Sequence, residues 1–183
     1  MASAANPAPV RIHDYDLRWP QDFEGEKAQI LQIVGSPIVA VEHVGSTAVP
    51  GLGAKPIIDI MVGVRSLEDA ARCFGPLREI GYEYVPEYEA EMPDRRYFHK
   101  GPPGARTHHL HMVEFEGPFW RKHLAFRDFL RTHRDRARVY EGLKRELAAR
   151  FGEDRVGYTE AKTKFIEEAV AEAIAEQAAS RPS

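Results

Sequence analysis

The chain has 183 residues, a net charge of −3, and is 43% hydrophobic and 29% charged, the profile of one globular domain with enough apolar material for a core. A pI near 6.2 argues against a protein drawn as a whole to nucleic acid, and no run approaches the roughly 18 apolar residues of a membrane span. The single cysteine, Cys73, allows no internal disulfide and predicts a reducing, cytoplasmic address.

Residues 1–10 contain no signal-type apolar stretch and are expected to be a frayed leader, followed by a single domain over 11–178 and a frayed tail over 179–183. "QDFEGEKAQILQIV" (21–34) sets Phe23, Ile30, Leu31 and Val34 at helical spacing, with Lys27 as the one polar residue on that face. "SPIVAVEHVG" (36–45) and "KPIIDIMVGV" (55–64) read as β-branched strands, Pro56 suiting a strand start because it cannot donate to a ladder. "SLEDAARCFGPLREIG" (66–81) predicts a helix with Ser66 as its cap, kinked or split at Pro76 and closed by Gly81. "YEYVPEY" (82–88), "RRYFHKG" (95–101) and "THHLHMVEFEG" (107–117) follow as strands, the last two separated by the turn-forming "GPPGA". Beyond Pro118 the sequence is helical in period and composition, with Gly152 as a stop and a second helical stretch over 159–177. A strand-rich middle followed by helices predicts an α+β domain: a mixed or antiparallel sheet with helices mainly on one face and a helical C-terminal part.

Side chains alternate across a strand. Ile58, Ile60 and Val62 therefore share a wholly apolar face suited to lie under helices, while Ile57, Asp59 and Met61 take the other. In "HHLHMV", placing Leu110 and Met112 in the core turns His109 and His111 onto the face that carries Asp59; His108, and likewise His43 and His99, read as structural. A carboxylate and two imidazoles on neighbouring strands suit a divalent metal or an acid/base pair, and equally describe a solvated polar stripe.

"VGSTAVPGLGAK" (44–55) follows a strand with consecutive small residues. The backbone N–H groups of Gly45, Ser46 and Thr47, the Ser46 and Thr47 hydroxyls and Lys55 suit an anion. The spacing matches neither the P-loop nor the dinucleotide-binding glycine pattern. Arg95 and Arg96 alternate faces, so one of them points toward the site, where a guanidinium would suit phosphate or carboxylate. Lys162, four residues after Tyr158 on one helical face, is a further candidate for ligand contact. The segment 121–138 carries seven Arg/Lys against two Asp, interleaved with Phe126 and Phe129 and preceded by Phe119 and Trp120. That composition raises RNA binding, but Phe119, His123, Phe126 and Leu130 fall at core-facing helical spacing, and nucleic acid is set aside as a partner.

The blocks "EHVGSTAVPGLGAKPIIDI", "RRYFHK", "HHLHMV", "HLAFRDFLRTH" and "YTEAKTKFI" resemble the GrpB family over roughly residues 12–175. That family is similar to the nucleotidyltransferase superfamily and also occurs appended to some dephospho-CoA kinases. The resemblance implies a nucleotidyltransferase-like fold, with a Gly-Ser turn, two acids one residue apart on the next strand, and a third acid on a later strand holding Mg²⁺. Gly45 and Ser46 match the turn. Asp59 matches one acid, leaving either Ile57 or Met61 in the place of its neighbour. The expected consequence is one Asp59/His109/His111 site for Mg²⁺, Mn²⁺ or Zn²⁺, or an acid/base centre. Its ligand would be a small phosphate- or carboxylate-bearing molecule, a nucleotide among the options, undergoing transfer, or metal-assisted hydrolysis, isomerisation or cyclisation. The alternative is a non-catalytic nucleotide- or CoA-binding accessory module on the same fold.

Overall fold

The computed structural model describes residues 9–152 and 154–179. The expected leader therefore lies outside the described residues up to position 8, and the expected tail from position 180. Val10, inside the predicted leader, is buried against Leu147 and Tyr158.

Helix α1 (Trp19–Val34) starts earlier than its periodicity suggests, because Pro20 fits the first turn, where its missing N–H costs nothing. It buries Trp19, Phe23, Glu26 and Ile30 and ends at Gly35, φ 60°. The buried stripe is thus rotated from the predicted one: Leu31 is exposed, and Glu26 is held by Lys100 at 2.8 Å. The strands are β1 (Ile38–Val44), β2 (Ile58–Val64), β3 (Tyr82–Tyr84), β4 (Arg95–Lys100) and β5 (His108–Glu114). They form one mixed sheet of order β1-β2-β5-β4-β3, with β2 and β5 parallel and every other neighbouring pair antiparallel. The predicted 82–88 strand stops at Tyr84 and gives way to a 3-10 turn from Pro86, which has no N–H for the ladder. Helix α2 spans only Ala71–Glu79; Ser66 Oγ accepts from the Glu68 N–H in a preceding turn rather than capping the helix, and Pro76 is accommodated without splitting it.

Alternation is obeyed on both sheet faces. Ile58, Ile60, Val62, Leu110 and Met112 pack with Phe98 against Trp19, Phe23 and Ile30 of α1 and Cys73 and Leu77 of α2. The opposite face is more covered than the sequence suggests: Val44, Met61 and Val113 are buried with Trp120. Trp120 belongs to α3 (Pro118–Thr132), which with α4 (Arg134–Phe151), α5 (Arg155–Ala161) and α6 (Thr163–Ala179) makes the helical part. Phe126, Phe129, Leu130, Tyr140, Phe165 and Ala169 form its own core, joined by Val49 and Leu52 from the loop after β1. The helical part thus leans over one end of the second sheet face, and a cleft remains between them. Among the described residues no helix is long and apolar enough to cross a membrane.

Candidate functional site

The cleft has a volume of about 410 Å³, within the range of small-molecule sites. Its floor is the second sheet face. The parallel register of β2 and β5 sets Asp59 directly opposite His109, and His109 Nδ1 lies 3.2 Å from Asp59 Oδ1. Burial pushes the Asp59 carboxyl up, but the His109 hydrogen bond and nearby positive charge outweigh it and hold its pKa at about 2. An ionised Asp59 accepts the Nδ1 proton and so fixes His109 in the tautomer whose Nε2 is basic.

The Gly-Ser turn closes one side. Gly45 adopts φ 71°, ψ −169°, a backbone conformation essentially confined to glycine. A β-carbon there would stand 2.5 Å from Asp59 Oδ2, so the turn lies directly against the carboxylate. Ser46 faces the cleft and accepts from Lys144 Nζ at 3.0 Å; the same Nζ donates to the Gly53 carbonyl. Thr47 also lines the cleft, yet its hydroxyl is turned inward. It lies 2.9 Å from His43 Nε2 and donates to the Ile57 carbonyl. His43 itself stacks on Phe23, and burial lowers its pKa to about 4. Predicted as structural, it braces the turn from beneath.

Lys144 is 2% exposed. Burial, then the neighbouring Lys162 charge, lowers its pKa to about 7. Lys162 Nζ sits 4.4 Å from the Tyr158 ring centroid, with Lys55 on the same ring at 5.8 Å. Burial and the Lys55 charge lower Lys162 to about 8. At the other side of the Asp59–His109 pair, His111 Nδ1 lies 3.2 Å from Arg95 Nη1. Because the guanidinium has only donors, Nδ1 accepts, and the ring is held as the Nε2–H tautomer. Burial drives the His111 pKa well below its ordinary value, and the Arg95 charge adds to this. Arg95 is surrounded by the rings of Tyr97, Phe119 and Tyr88 at 5.1, 5.9 and 6.0 Å. Its Nε is buried without a hydrogen-bond partner among the described residues. The sequence left Arg95 and Arg96 equivalent. Arg95 enters the cleft, whereas Arg96 turns away to the Pro93 carbonyl at 2.8 Å and Glu89 at 3.3 Å.

The charged side chains of the lining are mostly cationic. Lys55, Arg95, Lys122, Lys144 and Lys162 all face the cleft, and Asp59 is the one carboxylate among the described residues that line it.

The family model described as GrpB protein matches residues 9–172. The chain belongs to the GrpB family. It is 39% identical over 160 residues to the protein YqkA of Bacillus subtilis (strain 168), a match covering 87% of this chain and 46% of that one. The chain thus spans about half the length of that relative. Among solved structures it is similar to the conserved protein GrpB from Enterococcus faecalis, with TM-score 0.82, 37% identity, and 91% and 99% of the two chains covered. A second neighbour, the Cid1 poly(U) polymerase, has TM-score 0.51 at 13% identity over 76% of this chain and 44% of that one. That likeness shows a nucleotidyltransferase-like fold.

The fold makes the metal expectation of this GrpB-family chain open to a direct test of fit. Met61 is buried beneath Trp120, so a second carboxylate facing the cleft beside Asp59 has its place at Ile57, which lines the cleft as an apolar side chain. A histidine that binds metal through one ring nitrogen donates the other N–H to an acceptor. Arg95 offers His111 none; His109 does meet such an acceptor in Asp59, so that of this pair only His109 presents an available Nε2. Among the described residues no group of three His, Cys, Asp or Glu side chains is arranged to hold a metal ion. As arranged, the residues present do not fit the three-ligand site.

Lys144 and Tyr97 were not singled out from the sequence. Lys144 carries a signal nonetheless: Tyr140, Lys144 and Leu147 are the buried residues of α4, a lysine on an apolar stripe at helical spacing. Tyr97 pairs with His111 across β4 and β5, a neighbour relation that exists only once the register is known.

Proposed function

We propose that this GrpB-family chain is an enzyme of the nucleotidyltransferase-like fold acting on a small phosphate-bearing molecule. Asp59 and His109 are its acid/base pair, and Ser46, Lys55, Lys144, Lys162 and Arg95 hold the anion. The observation that carries this reading is the juxtaposition of five Lys and Arg side chains with a single carboxylate that is already engaged with a histidine. A buried cation such as Lys144, whose Nζ is bound to neutral oxygens, is costly in an empty site, and that cost is offset when an anion enters. In the reaction, His109 Nε2 takes the proton of a hydroxyl or water as its oxygen bonds to phosphorus, the opposite P–O bond breaks, and the leaving phosphate oxygen departs with that bond's electron pair. Asp59 stabilises the imidazolium, which returns its proton to solvent, and the cations meet the charge on the phosphate oxygens. Gly45 keeps the backbone close to the reacting centre without a side chain in the way.

A second reading is favoured by one feature. Ile57 stands where the superfamily's second acid would be, which suits a non-catalytic module that binds a nucleotide or related phosphate ester. Phosphorus NMR of the protein with each of the common nucleoside triphosphates separates the two. The enzyme reading expects phosphate-bond turnover that falls by about 10²–10⁴ in His109→Ala and is lost in Asp59→Asn, with circular dichroism unchanged. Binding of a triphosphate without any turnover leaves the module reading in place.

A further inference from the structure

The cleft contains cations where the fold family implies ions. We propose that Lys144, Lys162 and Lys55 take the place of divalent metal, so that the phosphate ligand is bound as the free anion and not as its metal complex. This rests on the phosphate reading above and adds the form in which the phosphate arrives.

Three independent observations support it. The donor set is short: Asp59 is the one carboxylate of the described lining, and an apolar Ile57 occupies the neighbouring place. Of the two imidazoles, His111 meets a donor where a ligating histidine needs an acceptor, its Nδ1 lying 3.2 Å from Arg95 Nη1, and one oxygen of the single carboxylate is already engaged by His109 Nδ1. The third observation is the lysines' own company. Lys144 Nζ is bound to two neutral oxygens, Ser46 Oγ and the Gly53 carbonyl. Glu141, the acid on the same helix turn, is directed instead to the Gly53 N–H at 2.9 Å and to Arg145 at 2.7 Å. Lys162 and Lys55 both approach the Tyr158 ring, at 4.4 and 5.8 Å from its centroid. Like charges packed in a partly desolvated wall repel one another and would repel a divalent cation in the same way, whereas a phosphate relieves them all. The wall already supplies the charge that Mg²⁺ supplies in a two-carboxylate site. It does so with no exchangeable ion and through ammonium groups able to donate up to three hydrogen bonds each.

The decisive measurement is isothermal titration calorimetry with inorganic pyrophosphate on the full chain, with EDTA and separately with excess Mg²⁺ or Mn²⁺. The expected result is binding in EDTA that excess Mg²⁺ weakens, because the ion draws pyrophosphate into a complex of lower charge. Lys162→Met should weaken binding in EDTA by about tenfold, the effect of one charge-assisted contact, and Lys144→Met by at least as much, with circular dichroism as the folding control. Binding that requires Mg²⁺ or Mn²⁺ and vanishes in EDTA overturns this inference and leaves the phosphate reading standing. Absence of binding in both conditions overturns both. The wild-type comparison decides the matter even where a variant fails to fold.

Discussion

At Gly45 a single hydrogen atom separates a working turn from a broken one. Its φ of 71° and the 2.5 Å approach that a β-carbon would make to Asp59 Oδ2 act together. Gly45→Ala is expected to lose about 1–3 kcal/mol of stability from backbone strain and also to push Asp59 off His109. The check is a denaturant melt combined with a pyrophosphate titration; a variant with wild-type stability and affinity would contradict the close packing. Strand alternation made Asp59, His109 and His111 legible as one face, because parity along a strand is a local property. It did not reveal that His111 is committed to Arg95, since a hydrogen bond between β4 and β5 depends on register. Thr47 was read as a ligand contact from its place in the turn. Its hydroxyl faces His43 because the short 3-10 turn at Ser46–Ala48 rotates successive side chains to different sides.

Helix α4 shows how one element serves both packing and the site. Tyr140, Lys144 and Leu147 form its buried stripe, and Lys144 is the member that a purely structural helix would replace with an apolar residue. Its pKa is lowered by burial to about 7 in the folded chain, against 10.5 ordinarily. The unfolded chain therefore binds the additional proton between about pH 7 and 10.5, so stability rises with pH across that window, and the burden of the charge is complete below it. Lys144→Met is expected to raise the melting temperature at pH 7, by about 2–4 °C for each kcal/mol recovered. That gain should fade toward pH 11 while anion affinity is lost. A melting temperature lowered equally at both pH values would show that the bonds to Ser46 and Gly53 outweigh the burial of charge. Sulfate, whose charge is constant from pH 6 to 9, offers the companion measurement: its affinity for the wild type should fall over that range as Lys144 and Lys162 lose their protons.

Element boundaries were legible where a residue's chemistry enforces them, as at Pro118 and Gly152. They were not where tertiary packing decides. The break between α5 and α6 falls at Lys162 inside a stretch with continuous helical period, and it delivers that lysine to the cleft. The full β3 strand expected to residue 88 was cut at Tyr84 because Pro86 ends the ladder.

At the scale of the molecule, the sheet order joins segments far apart in sequence. Asp59 and His109 are fifty positions apart and meet only through the parallel β2–β5 pair. The α+β class and the two sheet faces follow from hydrophobic pattern alone. The covering of the second face by α3–α6 does not, since it depends on Trp120 reaching Met61 and Val113. The charge distribution completes this arrangement. The chain is net negative at −3 while the charged residues of its cleft are mostly cationic, so the negative excess lies outside the cleft. Fields inside a low-dielectric concavity are focused, and those over the outer surface fade within about 8 Å at physiological salt. On the phosphate reading proposed above, the cleft is expected to select anions by size. A pyrophosphate-sized ion is expected to be held within the cleft, whereas a long polyanion would extend over an outer surface that carries the chain's net negative charge. Added single-stranded RNA should accordingly fail to displace pyrophosphate at physiological salt; displacement by RNA in a competition titration would reveal a basic track continuing beyond the cleft mouth. One lining would thus set both the charge of the ligand that enters and, through its contrast with the outer surface, the size of molecule that competes for it.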